Sequence, residues 1–270
     1  MAATLGQVVD ALEARYDPAL TEPWDAVGLV CGDRGAEVRR VLFAVDPVAA
    51  VVDEVLGTGA DLLVTHHPLL LTAVHGVPAD DPKGRVVHRL IRGGAALFVA
   101  HTNADRAVGG VNDALADALG LVGAVPLEPT APGAATGMGR IGRLPADLPL
   151  RAFAEQVAAA LPATAGGVRI AGDPDRSVRM VAVCGGSGGS LAEAAHAAGA
   201  DVLVTSDLRH HPASEAGESG GPALLDIAHF ATEWPWLPVA AEALARDTGV
   251  EVAVSRIRTD PWTAQVAQSI

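Results

Sequence analysis

The chain has 270 residues, half of them apolar and only 3% aromatic, enough for one large domain or two ordinary ones with a core built from Ala, Val, Leu and Ile. Its formal net charge is −13, with no Lys/Arg cluster, which excludes nucleic-acid binding through a basic patch and suits solubility and cation binding. Cys31 and Cys184 are far apart, which excludes a disulfide framework and fits a reducing cytoplasm; no uninterrupted apolar run approaches the length of a transmembrane span.

Thr4 opens a capping box with Gln7, and Val8, Val9 and Leu12 follow at helical spacing. The N-terminal stretch therefore reads as an amphipathic helix rather than a signal peptide. Residues 18–33 read as a loop with a short extended piece. Strand–helix alternation begins at RRVLFAVDP, a buried strand ending at Asp46-Pro47. A helix over 48–60 closes on Gly57 or Gly59. ADLLVT (60–65) is a strand that exits into His66, His67 and Pro68. A helix over 81–94, a strand over 95–100 and a helix over 109–121 follow. Apolar strands alternating with helices predict a mostly parallel sheet covered on both faces.

Between 126 and 142 the composition shifts to Pro, Gly, Ala and Thr, which reads as a linker. It divides a first lobe, 1–125, to which the C-terminal segment can return, from a second, 143–270. The second lobe reads as a helix (148–161), a strand (177–184), a Gly-rich turn and helix (185–199), a strand (200–205), a loop (207–222), a strand (223–230), a helix near 233–249 and a last strand (250–257). GADLLVTHHP from Gly59 and GADVLVTSDLRHHP from Gly199 echo each other, each after a strand–helix unit. The echo predicts two related α/β lobes whose strand ends face a shared cleft.

Three constellations carry chemistry. His66, His67, Asp105, His229 and Glu233 lie at strand exits or helix starts, and mixed imidazole and carboxylate donors suit Zn, Fe, Mn, Co or Ni. Five such donors exceed the need of one ion with open positions and fit two divalent ions bridged by a carboxylate, a site that activates water for hydrolysis. Individually, Asp105 fits a helix cap and Glu233 a helix N-terminus equally well. The second constellation, GGSGGS (185–190), fits a G-x-S-x-G turn with Ser187 as a hydrolase nucleophile and Asp207 or Asp226 with His229 behind it. A structural Gly-rich turn explains it as well. The third, Ser206 and Asp207 with His210 and His211, fits cleft acid/base groups or a surface loop. His75, His88 and His196 read as ordinary.

Across nearly its whole length the chain resembles the Nif-three-like dinuclear metal centre family, also called GTP cyclohydrolase I type 2 homologues. The motifs are WDAVGL at Trp24, THHPLL at Thr65, AHTNAD at Ala100, GVNDALA at Gly110, GMGRIG at Gly137, CGGSGG at Cys184, TSDLRHH at Thr205 and HFATE at His229. The resemblance implies two related α/β lobes enclosing a dinuclear cleft, and a ring-shaped homohexamer built as a trimer of dimers. It implies that His67 and Asp105 bind one ion and His66 and His229 the other, with Glu233 bridging. His101 and His211 would support catalysis, one of them as a proton shuttle. Ala26 stands where the family often has Asn, and the segment between Gly142 and Ser177 is too short for the extra domain of longer members. The implied activity is metal-dependent hydrolysis of a nucleotide, GTP cyclohydrolase-like, in the cytoplasm. A non-catalytic metal-binding scaffold and a Ser187 hydrolase are the other readings.

Overall fold

The computed structural model describes residues 3–266; residues 1, 2 and 267–270, the outermost parts of the two expected lobes, lie outside it. The first part of the chain forms β1 (Ala3–Thr4), α1 (Leu5–Arg15), β2 (Gly28–Cys31), β3 (Glu37–Val38), β4 (Arg40–Ala44), α2 (Ala49–Thr58), β5 (Leu62–Thr65), α3 (Pro82–Arg92), β6 (Ala96–Val99) and α4 (Thr102–Arg106). The capping box at α1 is complete: the Gln7 amide donates to Thr4 Oγ1 at 3.2 Å and the Thr4 amide to Gln7 Oε1 at 2.9 Å. Next come α5 (Val111–Ala118), β7 (Val122–Pro129), β8 (Gly137–Pro149), α6 (Leu150–Ala160), β9 (Val168–Ala171), β10 (Ser177–Val183), α7 (Ala192–Ala197), β11 (Val202–Ser206), α8 (His210–Glu218), β12 (Ala223–Ile227) and α9 (His229–Glu233). Last among the described residues come α10 (Trp236–Thr248) and β13 (Glu251–Val254).

Two units result: one takes the chain to Ala107 plus Leu237–Thr259, the other takes Val108–Trp236 plus the chain from Asp260. The first unit holds a five-stranded sheet in the order β13-β4-β5-β6-β2. It is parallel from β13 to β6, with β2 antiparallel at the edge. Val51, Val52 and Val55 of α2 and Val86, Val87 and Leu90 of α3 pack on Leu42, Ala44, Leu63 and Leu97. Burial of both faces is what the uninterrupted apolar strands require.

The second unit holds a six-stranded sheet in the order β7-β8-β10-β11-β12-β9. Here only β10, β11 and β12 run parallel, and the other three pairings are antiparallel. The sheet is mixed rather than mostly parallel. The expected linker at 126–142 is a correction of the same kind: most of it lies in the β7–β8 hairpin. Its prolines are tolerated in a strand because β7 is the sheet edge, paired on one side only. The boundary between the units accordingly falls after Ala107, not at 125. Residues 210–218, expected as loop, form α8, with Pro212 in the first turn where proline is tolerated. Phe153 and Val157 of α6 and Leu115 of α5 pack on Val181, Val183, Val202 and Val204 to make this unit's core.

The two units share more than an echo of sequence. Gly59 and Gly199 both adopt positive φ, 65° and 74°, at the end of a helix, a conformation that glycine allows at no steric cost. Two residues on, Asp61 Oδ2 accepts the amides of Arg39 and Arg40 at 2.7 and 3.0 Å. Asp201 Oδ2 accepts the amides of Arg179 and Met180, both at 2.8 Å. The Asp61 amide donates to Arg40 O and its carbonyl accepts from Ala96, while Asp201 repeats this with Met180 and Ala223. Each aspartate thus ties together three adjacent parallel strands, β4-β5-β6 in one unit and β10-β11-β12 in the other, just before their parallel pairing begins. The lobes are related in hydrogen bonding as well as in pattern.

Candidate metal centre

In the first unit the chemistry gathers at the carboxyl ends of β4, β5 and β6, the edge where parallel sheets place their sites. His66 and His67 leave β5, and His101 follows β6. Their ring centroids lie 5.1 Å (His66–His67), 5.1 Å (His66–His101) and 5.6 Å (His67–His101) apart. Each offers one donor atom within 4.8 Å of the others. His66 is 1% exposed, and its Nδ1 lies 2.9 Å from Ala100 O. His67 Nδ1 lies 2.7 Å from Asp46 Oδ1. His101 Nδ1 lies 2.8 Å from Asp25 Oδ1. A carbonyl or carboxylate oxygen only accepts, so each Nδ1 carries a proton, and in the neutral imidazole the lone pair is then on Nε2.

Asp105 sits in the single turn of α4 and is 8% exposed. Its Oδ1 lies 3.7 Å from His66 Nε2. Two metal–ligand bonds of about 2.1 Å span such a gap at a wide angle. The resemblance pairs Asp105 with His67, and the structure places Asp105 within reach of His66. Asp25 is held by its surroundings: burial pushes its pKa up, but hydrogen bonds from His101 and Thr102 outweigh that and keep the carboxyl well below its ordinary value. Its Oδ2 accepts the Thr102 hydroxyl at 2.6 Å and amide at 3.1 Å.

The second unit has a donor group of its own, built from β11, β12 and the turn after β10. His229 opens α9 and Glu233 closes it, one helical turn apart. The expected helix starting near Thr232 is divided here, with α10 beginning only at Trp236. His229 Nδ1 lies 2.7 Å from Asp207 Oδ2, and Nε2 lies 2.8 Å from Glu233 Oε1. Asp207 has φ of 57°, an uncommon conformation for a residue with a Cβ. Glu233 is 2% exposed. A neutral imidazole cannot donate to two carboxylates at once. Two donors at right angles on one ion, with bonds of about 2.1 Å, are about 3 Å apart, so Nε2 and Oε1 are spaced to share a cation.

The Gly-rich turn forms the wall of this pair. A Cβ on Gly186 would stand 2.5 Å from Glu233 Oε1 and 2.8 Å from His229 Nε2. The Gly186 amide donates to Thr232 Oγ1 at 2.9 Å, and its carbonyl accepts from Ser206 N and Thr205 Oγ1. The turn thus holds its backbone where a side chain would occupy the ligands' own space. Ser187 is exposed on it, and the histidine that a serine mechanism needs has carboxylates at both ring nitrogens. The geometry gives the turn a shaping role in place of the nucleophile role.

The Duf34/NIF3 (NGG1p interacting factor 3) family model matches residues 3–261. The chain belongs to the Duf34/NIF3 family. A Streptomyces coelicolor member named GTP cyclohydrolase 1 type 2 homolog is 52% identical over 272 residues, covering 98% of this chain and 95% of that one. A Mycobacterium tuberculosis protein of the same name is 38% identical, covering 97% of each chain. Its alignment runs over 371 residues, so that Duf34/NIF3 member carries a segment with no counterpart here. The crystal structure of a Bacillus cereus protein related to NIF3 superposes with a TM-score of 0.89 at 25% identity, covering 96% of this chain and 98% of that one. A Staphylococcus aureus protein gives 0.89 at 26%, covering 97% and 99%.

His66, His67, His101 and Asp105 are therefore brought to one sheet edge, and His229 and Glu233 to each other. His211 is not brought to His229's carboxylates: it lies exposed in the first turn of α8, its ring 5.1 Å from that of His210. The residue at the exit of β11 is Asp207. Sequence reasoning did not single out Asp25 or Asp46, and took Asp207 only as a triad acid or cleft group. Asp46 had a signal: it ends the strand next to the one that carries the His pair. No helix among the described residues is long and apolar enough to cross a membrane.

Proposed function

We propose that this Duf34/NIF3 member holds two divalent cations through His66, His67, Asp105, His229 and Glu233 and hydrolyses a nucleotide or a related small polar substrate. The observation that carries the reading is the shared anchoring of four imidazoles. Each has Nδ1 on an oxygen, from Ala100, Asp46, Asp25 or Asp207, which favours the tautomer that ligates through Nε2 in His66, His67 and His229 and leaves Nε2 of His101 for proton transfer. Gly186, cut back to leave room at His229 and Glu233, supports it further. His66 with Asp105, and His229 with Glu233, are the two donor pairs spaced for a shared ion.

Bound divalent cations would supply Lewis acidity and a nucleophilic water at neutral pH. The chain's own residues do the rest. Asp46 and Asp207 orient His67 and His229. His101, with its Nδ1–H held by Asp25, keeps Nε2 ready to accept a proton and is assigned the proton shuttle. His211, exposed on α8, has no part in this reading. The relatives' name directs the substrate search to guanine nucleotides first.

The test is metal analysis of protein purified without chelator and of protein reconstituted with Mn, Fe, Co, Ni or Zn, paired with a nucleotide turnover screen. About two ions per chain are expected, and His67→Ala should lose metal and turnover together. Fewer than one ion per chain after reconstitution would overturn the dinuclear reading. Full metal without turnover on any nucleotide would leave a metal-binding scaffold and overturn the hydrolase. Turnover that survives His67→Ala but not Ser187→Ala would favour the serine mechanism.

A further inference from the structure

Trp24 is 59% exposed, although tryptophan is mostly buried in folded proteins. Its exposure is not that of a loose loop. The next side chain, Asp25, is fully buried and makes four hydrogen bonds, to the amide of Ala26, to His101 Nδ1, and to the amide and hydroxyl of Thr102. The Asp25 amide donates to Glu22 O at 3.0 Å. On the other side, the Glu22 amide donates to Thr102 Oγ1 at 2.9 Å, and the Glu22 carboxylate pairs with Arg106. Pro23 fixes one more backbone angle. The indole is held out on a braced turn.

It is held beside the imidazoles. The Trp24 and His101 rings meet edge to face, with centroids 5.9 Å apart at 78°, and His101 lies 5.1 Å from His66 and 5.6 Å from His67. An occupant of this place needs a flat apolar face for the indole and polar ring atoms for the donors next to it. With a net charge of −13, the chain's overall field repels an anionic nucleotide, so affinity must come from local contacts. A braced, preformed aromatic face supplies one at little ordering cost.

We propose that Trp24 is the stacking platform for the planar heteroaromatic ring of the substrate, a purine or a ring of similar size. The proposal rests on the nucleotide-hydrolase reading of the adjacent centre and adds its specificity element: the base, not the sugar phosphate, is what the protein selects.

The test compares wild type, Trp24→Ala and Trp24→Phe after zinc reconstitution, with equilibrium dialysis of guanosine 5′-monophosphate and of ribose 5-phosphate. Wild type should bind the nucleotide roughly 10- to 100-fold more tightly than the base-free sugar phosphate, the range of one base-on-aromatic stack. Trp24→Ala should erase that preference and Trp24→Phe should keep most of it. A preference absent from wild type, or undiminished in Trp24→Ala, overturns the platform. So does a Trp24→Ala protein that changes its assembly state on gel filtration yet keeps the preference, which would make Trp24 a subunit contact. Zinc content, measured on the same samples, tests the dinuclear reading separately. Wild type that takes up neither zinc nor Mn, Fe, Co or Ni overturns that reading, whereas full metal with an unaltered preference overturns the platform alone.

Discussion

Replacing Gly186 with alanine separates the cost of strained backbone from the cost of a disrupted ligand pair. The residue has φ of +65°, and its Cβ would stand 2.5 Å from Glu233 Oε1, 2.8 Å from His229 Nε2 and 3.2 Å from His229 Cε1, against 3.4 Å for ordinary contact. Glu233 and His229 must therefore retreat by roughly 0.6 to 0.9 Å, well beyond the ~0.2 Å tolerance of a metal–ligand bond. The left-handed backbone adds about 1–2 kcal/mol, which lowers Tm by about 2–8 °C in a chain of this length. Metal affinity should fall more steeply, by about 100-fold or more, since even loss of an outer-sphere partner costs about 10- to 100-fold. Gly57→Ala is the control. Gly57 lies inside α2 with open space around its would-be Cβ, so the change should stabilise by about 0.5–1 kcal/mol and leave metal binding alone. The assay is zinc competition against a chromophoric chelator, with thermal melts of the metal-free proteins. A Gly186→Ala protein that melts lower as expected but binds zinc with wild-type affinity would refute the assignment of His229 and Glu233 as a ligand pair.

Asp46→Asn and Asp207→Asn should each weaken zinc binding about 10- to 100-fold with little change in fold, because the neutral amide no longer fixes the His67 or His229 tautomer; unchanged affinity by the same competition assay would remove the anchoring argument. Asp25 gives a pH signature. Its folded-state pKa is depressed, so its contribution is full above the unfolded value of about 3.9 and is lost as pH falls through the folded value. The stability difference between wild type and Asp25→Asn in urea melts should be constant near neutrality and shrink below about pH 4. A difference that stays flat into strong acid would contradict the depressed pKa.

Every donor in the proposed ligand set was legible in the sequence, since each stands at or just beyond a strand exit, and a strand exit is readable from where an apolar run stops. The partners that orient the histidines of the ligand set and of the proton shuttle were not. Asp25 is 76 residues from His101, Asp46 is 21 from His67 and Asp207 is 22 from His229, and which strand ends meet depends on the order of strands in the sheet. The β7–β8 hairpin was hidden by its Pro- and Gly-rich composition, which marks linkers more often than edge strands. The His-His-Pro of residues 210–212 misled for a related reason. It copies residues 66–68 in letters, but it comes four residues after the end of β11 and so opens a helix instead of closing a strand. The role of Gly186 depends on a non-local approach of backbone to side chains that no spacing rule encodes.

The shared aspartates offer a quantitative check on whether the two units descend from one ancestral unit. If Asp61 and Asp201 are equivalent, truncating either should cost the same, although they lie in sheets with different flanking strands. Each carboxylate accepts two backbone amides at 2.7–3.0 Å. A charged acceptor is worth about 1.5–3 kcal/mol per bond when buried. These sites adjoin exposed Arg39 and Arg179, where water replaces part of the lost bonding, so about 1–3 kcal/mol in total is the reasonable range. Asp61→Ala and Asp201→Ala should therefore lower stability by like amounts in urea denaturation, and neither should alter zinc affinity, because both lie at the starts of their strands, away from the carboxyl-end ligands. The sites share no partners, so the double variant should be additive within about 0.5 kcal/mol. If one substitution is silent and the other costs several kcal/mol, the matching hydrogen bonds are a coincidence of βαβ geometry, and the resemblance of the lobes reduces to sequence echo.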